Sequence, residues 1–403
     1  MHFKTLSLKA VIGNPFYLFA IVLLFTFTLY ILGWSNLFPP VKGSFIAFIL
    51  LSLVLFITLG YIVKNRLVNM NLTLAARPSN SFLHIATALS LLVFVIEIIL
   101  NGKIPIFDIL FKTTLVDYRE FYSIPIIHTL ACTCGVFLVA VLFGLLSEKW
   151  NRRYMLLVVL NIMPYIILFS RSIIIIIIIQ CFFYTALRVT ALKIRHALFF
   201  VSFIILITYA FGVVGNYREK AKERVRGGSS FVTVSQLNSD YPRFLPHEFA
   251  WAYMYAASPI ANFQHNVITS TPVTPDFKGL IVSEFLPSRA KLILSEHLNL
   301  KTRKTAIINS NFTAGTVFSG AYSYAGWLGV SLMLVIIIGV NFIVVYILSF
   351  NSSYSLISLS VLLSFTVLNF FENMISFTPM ILLLFGSLGF HIYSIVKRRI
   401  KLK

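Results

Sequence analysis

Acidic residues are scarce in this sequence: 13 Asp and Glu stand against 33 Lys and Arg in 403 residues. They form no cluster of the kind that holds a hard cation, so no metal is expected in the chemistry. Charge of either sign is sparse as well. Charged residues make up 11% of the chain and hydrophobic residues 58%, which excludes an ordinary soluble domain. Cysteine is nearly missing, and Cys132, Cys134 and Cys181 all lie inside apolar runs. Cys-Thr-Cys has no zinc-ligand spacing, so these thiols read as small packing residues. There is no Walker loop, dinucleotide fingerprint, HExxH or GxSxG, and no inner loop reaches twenty residues. Nucleotide hydrolysis and a cytoplasmic nucleotide-sugar donor therefore have no place to occur.

What the chain does have is apolar runs long enough to cross about 30 Å of hydrocarbon. Ten candidate spans are read at 15–33, 44–63, 81–100, 124–146, 154–170, 172–187, 197–215, 320–349, 355–371 and 376–396. The first is long and has no small-residue cleavage site after it, so it is expected to stay as a span rather than act as a signal peptide. Lys and Arg cluster before span one, after spans two, four and six, and in the C-terminal tail. With ten spans these clusters share one side, which the positive-inside rule makes the cytoplasm. Both termini are then cytoplasmic, and residues 216–319, between spans seven and eight, face outward.

The same parity puts Arg171, in FSRSIIIIIIIQ, at the outer face between two short spans. One reading is a hairpin cap whose arginine snorkels to headgroups. The other is an anion site in a funnel made by short helices. The long outer segment is basic, with twelve Lys or Arg against seven Asp or Glu, and is densest in NYREKAKERVRGG (216–228). Such a stretch is either a solvated charged helix or a place where guanidinium groups fork onto phosphate oxygens. Glu97 near the outer end of span three and Glu372 at the turn between spans nine and ten are carboxylates beside hydrocarbon, which makes them functional candidates or arginine partners. His128 reads as a hydrogen-bonded helix residue. HEFAWAYMYAASPIANFQHN (247–266) reads as an aromatic-rich amphipathic segment lying at the outer interface, with rings suited to sugar faces.

Four stretches resemble the O-antigen polymerase family, the oligosaccharide repeat-unit polymerases of bacterial membranes. EIILNGKIPIF (97–107) is similar to that family's Glu, Gly and Ile-Pro pattern, and YREFYSIPIIHTL (118–130) to its Tyr, Phe, Ile-Pro and His pattern. FSRS (169–172) is similar to its Arg-Ser between two apolar helices, and NFTAGTVFSGAYSYAGWLG (311–329) to its Asn-x-x-Thr stretch leading to a Gly-x-x-Gly helix start. Where relatives often carry an acid before the first glycine of that helix, this chain has Ala325, so no catalytic role falls on that position.

The resemblance implies an all-α polytopic membrane protein of about ten transmembrane helices, similar to GT-C-type glycosyltransferases, with one large periplasmic loop carrying interfacial helices. It implies a metal-independent transferase without cofactors. Such an enzyme moves a growing glycan from undecaprenyl pyrophosphate onto the next lipid-linked repeat unit, in company with a chain-length regulator and a flippase and without nucleic acid. Arg171, Arg218, Arg224 and Arg289, with Arg226 next, are then expected to hold the diphosphate. Glu248, His247, Glu284 and Glu97 are candidates to accept the proton of the acceptor hydroxyl or to bind it, and Asn311, Thr313, Tyr255 and Tyr322 to orient sugars. An O-antigen ligase shares these features, and a lipid-linked oligosaccharide flippase is the alternative from another class, although it should carry charges along its spans rather than at their outer ends.

Overall fold

The computed structural model describes residues 8–70, 72, 78–102, 104–107, 121, 123–168, 170–188, part of 198–216, 234–270 and 274–401. Among these the chain is helical, and its strand-like pairing is a lone bridge between Ser35 and Leu237. The helices are α1 (Leu8–Ile12), α2 (Pro15–Ile31), α3 (Gly43–Val68), α4 (Asn80–Asn101), α5 (Ile127–Glu148), α6 (Arg152–Ile167), α7 (Arg171–Arg188), α8 (Glu248–Thr269), α9 (Phe277–Leu280), α10 (Ser288–His297), α11 (Val317–Leu348), α12 (Ser355–Leu368) and α13 (Thr378–Lys401). A π-turn, Ile281–Phe285, follows α9. Six of them, α3, α4, α5, α7, α11 and α13, are long and apolar enough to cross a membrane, and α2 and α12 are shorter apolar helices. This is the architecture of a polytopic membrane protein. Span 197–215 lies largely outside the described residues.

The packing explains the lengths. α12 is the centre of the bundle, in contact with α2, α7, α11 and α13, and every residue of it except Val367 is buried. Its serines let the neighbouring helices come close, and their hydroxyls return to the helix's own carbonyls or cross to a partner, as Ser358 does to Ser387 O at 3.0 Å. α2 and α3 meet tightly at Gly60, where a Cβ would overlap the Tyr17 ring. Asn14 closes the same corner, accepting from the Phe16 amide and donating to Gly60 O at 2.8 Å. At about 1.5 Å per residue, α6 with 16 residues and α12 with 14 are roughly 24 and 21 Å long, less than the hydrocarbon thickness of about 30 Å.

Two elements differ from the sequence reading. The segment expected to lie at the interface is α8, and it is enclosed: Ala250, Trp251, Met254 and the run Ala257–Gln264 are buried against α2 and α11. Its polar residues hold loops in place. Asn262 donates to Phe312 O and Ala314 O and accepts from the Ile308 amide, Asn266 donates to Ser319 O, and Gln264 donates to Pro40 O. Second, α11 starts at Val317 and is broken at Ala325–Gly326, where Gly326 takes φ 58°, ψ −143°. Arg303 closes that break, its guanidinium donating to the carbonyls of Ser323, Tyr324 and Thr274 at 3.1–3.3 Å. That arginine therefore serves the fold.

Candidate active site

Three turns and one buried helix converge on a cavity of about 530 Å³. The α6–α7 turn supplies Leu168, Ser170, Arg171 and Ser172; the approach to α5 supplies Phe121, Ser123 and His128; the α12–α13 turn supplies Leu368, Phe371, Glu372, Met374 and Phe377; and α8 supplies Tyr255.

Arg171 owes its place to the corner behind it. Tyr165 on α6 is fully buried and donates to Cys132 O on α5 at 2.9 Å, and Gly135 leaves room for that hydroxyl, which a Cβ would overlap. The Ser170 amide then donates to Tyr165 O at 2.8 Å, turning the chain so that α7 begins at the cavity. A helix start presents amides with no intrahelical acceptor and the positive end of the macrodipole. Guanidinium and helix terminus together make this wall electropositive. The isoleucine run that follows explains why α7 stays put: Ile173, Ile176, Ile177 and Gln180 form its buried face against α12 and α5.

Other parts of the lining carry ionisable groups. Glu97 is fully buried on α4, and its two oxygens accept from the Ile124 amide at 2.8 Å and from His128 Nδ1 at 2.7 Å. His128 is 27% exposed and lies edge-on to Phe94. Glu372 is exposed to the cavity, and desolvation by the surrounding protein raises its pKa above the usual carboxylate range. The aromatic faces of Phe371 and Phe377 flank it, and Tyr255 stacks on Trp251 behind. The whole suits an anion lying beside a ring with polar edges and C–H faces.

Of the residues named from sequence, Arg171, Glu372, His128 and Tyr255 line the cavity, and Glu97 stands directly behind it. Glu284 sits in the π-turn, packed over Gly320, with its carboxylate accepting from Asn373 Nδ2 at 2.9 Å. Asn373 also donates to Glu284 O, so this carboxyl holds the turn that carries Glu372. Burial raises the Glu284 pKa, opposed by the Asn373 bond and by Lys291. Glu248 begins α8 and lies seven residues before Tyr255, on the same helix face and about 10 Å away along the axis. His247 is exposed and stacks on Tyr241. Asn311 and Thr313 are exposed on the loop that Asn262 holds, and Tyr322 packs with Phe263 and Trp327. Arg218, Arg224 and Arg226 lie outside the described residues, as does the side chain of Arg289. Its backbone stands in the first turn of α10, beside Ser288, whose amide donates to Thr378 Oγ1 at the start of α13.

His128 is the hydrogen-bonded helix residue that the sequence suggests, and it also lines the cavity. Its partner is 31 positions away, and the signal that could have found it is the pairing of two Ile-Pro stretches with one carboxylate and one imidazole. Glu372 was singled out, but Phe371 and Phe377 around it were not. Comparison of the chain with protein-family models, with curated proteins and with solved structures finds no significant match.

Proposed function

We propose that this chain is a glycosyltransferase that joins lipid-diphosphate-linked oligosaccharide repeat units into polysaccharide. It sits in a bacterial inner membrane, with the cavity facing the periplasm, both termini in the cytoplasm, and residues 216–319 as the outer segment. The observation that carries the reading is the cavity in which Arg171 and the start of α7 face Glu372, His128 and a set of aromatic rings. The donor's leaving group is a diphosphate ester, and its growing negative charge needs preorganised donors in a site of low dielectric. Arg171 and the first amides of α7 are such donors. Phe371, Phe377 and Tyr255 offer faces on which sugar C–H surface can be buried. A cavity of about 530 Å³ is within the range of small-molecule sites, so it holds the reacting ends and leaves the lipid tail and the remaining sugars outside.

The resemblance of the stretches at 97–107, 118–130, 169–172 and 311–329 to repeat-unit polymerases supports the same reading, because the first three carry Glu97, His128 and Arg171. Deleting the gene in its host tests it. Surface polysaccharide should then carry a single repeat unit and no ladder, and the wild-type gene should restore the ladder. Loss of every repeat unit would point instead to a ligase or a flippase, and an unchanged ladder would remove all three.

A further inference from the structure

The chain enters α5 through a γ-turn of the rare hand. Ile126 has φ 68°, ψ −54°, and the Ile127 amide donates to Pro125 O at 2.8 Å. A β-branched residue at positive φ is an outlier, and such conformations cost on the order of 1–3 kcal/mol and persist only where neighbours impose them. Here the neighbour is Glu97, which takes the Ile124 amide on one side of the turn and His128 Nδ1 on the other. One buried carboxylate thus grips both ends of a strained turn. The outcome is one orientation of one imidazole.

With Nδ1–H given to Glu97, the lone pair of His128 is on Nε2. That nitrogen lies 3.4 Å from the Cys132 thiol, a weak partner that an incoming hydroxyl can displace. The imidazole is part of the cavity wall that also holds Arg171. We infer that His128 is the proton acceptor for the acceptor sugar's hydroxyl, and that Glu97 is its positioning residue. The inference rests on the function proposed above. In the step, the hydroxyl proton passes to His128 Nε2 and the hydroxyl oxygen forms a bond to the donor's anomeric carbon. The bond from that carbon to the diphosphate oxygen breaks, its electron pair leaving on the diphosphate beside Arg171. The imidazolium, steadied by the Glu97 carboxylate, then gives its proton to the leaving diphosphate or to water.

The test uses full-length protein in lipid nanodiscs and lipid-linked repeat units extracted from the host strain that lacks the gene, with elongation read as a ladder. His128→Gln should lower kcat about 10²- to 10⁴-fold, the range for loss of a general base, with KM little changed. Glu97→Gln keeps an acceptor for the Ile124 amide but turns an NH2 donor toward His128 Nδ1, which favours the tautomer with the proton on Nε2, so it should lower kcat by a similar factor with KM little changed. The groups that share His128's surroundings are Glu97 on α4, Cys132 on α5, Arg171 on α7, Tyr255 on α8 and Glu372 in the α12–α13 turn. A His128→Gln enzyme within threefold of wild type overturns the inference while leaving the polymerase reading intact. If His128→Gln does not fold, Glu97→Gln decides, and a kcat within threefold of wild type overturns the inference. A wild-type protein that elongates nothing removes the function itself.

Discussion

Arg171→Ala is the perturbation whose effects on rate and on stability should separate most clearly. A permanent cation in the first turn of an 18-residue helix opposes the positive end of that helix's dipole, at a cost of about 0.3–1 kcal/mol. The corner is held by Tyr165, Gly135 and the Ser170 amide, so removing Arg171 should leave the fold standing, at a cost within the ~0.5–3 kcal/mol usual for single substitutions. The rate should behave differently. Loss of one preorganised donor to a developing oxyanion costs about 10²- to 10³-fold in kcat, or roughly 3–4 kcal/mol. Arg171→Lys keeps the charge and loses the fork, so it should fall between alanine and wild type. Elongation in nanodiscs gives the rate, and thermal unfolding in the same preparation gives the stability. An alanine variant that elongates within threefold of wild type yet unfolds at clearly lower temperature would make Arg171 a hairpin cap and refute the argument.

Further outcomes follow from the neighbours. Burial raises the Glu372 pKa, so a larger share of it is neutral as pH falls, and the cavity becomes more favourable to a diphosphate. KM for the lipid-linked donor should drop with falling pH through that titration, and Glu372→Gln should show the low value throughout. Removing one like charge from the lining of a diphosphate site is worth about 1 kcal/mol, or fivefold. A KM equally steep in pH in that variant contradicts this. Gly326→Ala forces a side chain into φ 58°, ψ −143° and should destabilise by about 1–3 kcal/mol while the rate per folded molecule is kept. Equal unfolding temperatures would mean that the break in α11 is not strained.

Much of the scaffold was legible because hydropathy is local. The apolar runs at 44–63, 81–100 and 124–146 became α3, α4 and α5 with ends moved by a few residues, and the Ser-Arg-Ser between two short runs marked the turn that begins α7. What could not be read was what covers what. Asn262, Gln264 and Asn266 make α8 look like a surface helix, but each is buried and bonded to a segment far away in sequence, Asn262 and Gln264 to loops and Asn266 to the start of α11. The same holds at the site. Glu97 could be marked as costly to bury, but its partner depended on a strained turn at Ile126 that no pattern of residues announces. Glu284 shows the converse: a carboxyl chosen as a candidate base turns out to hold Asn373 and the turn beyond it.

The account depends on lipid diphosphate binding against the start of α7. Native mass spectrometry of the purified protein with undecaprenyl diphosphate measures that contact without requiring turnover. Wild type should retain the lipid at least tenfold more tightly than Arg171→Ala, and more tightly than it retains undecaprenol. Equal retention of diphosphate and alcohol by the wild-type protein would contradict it.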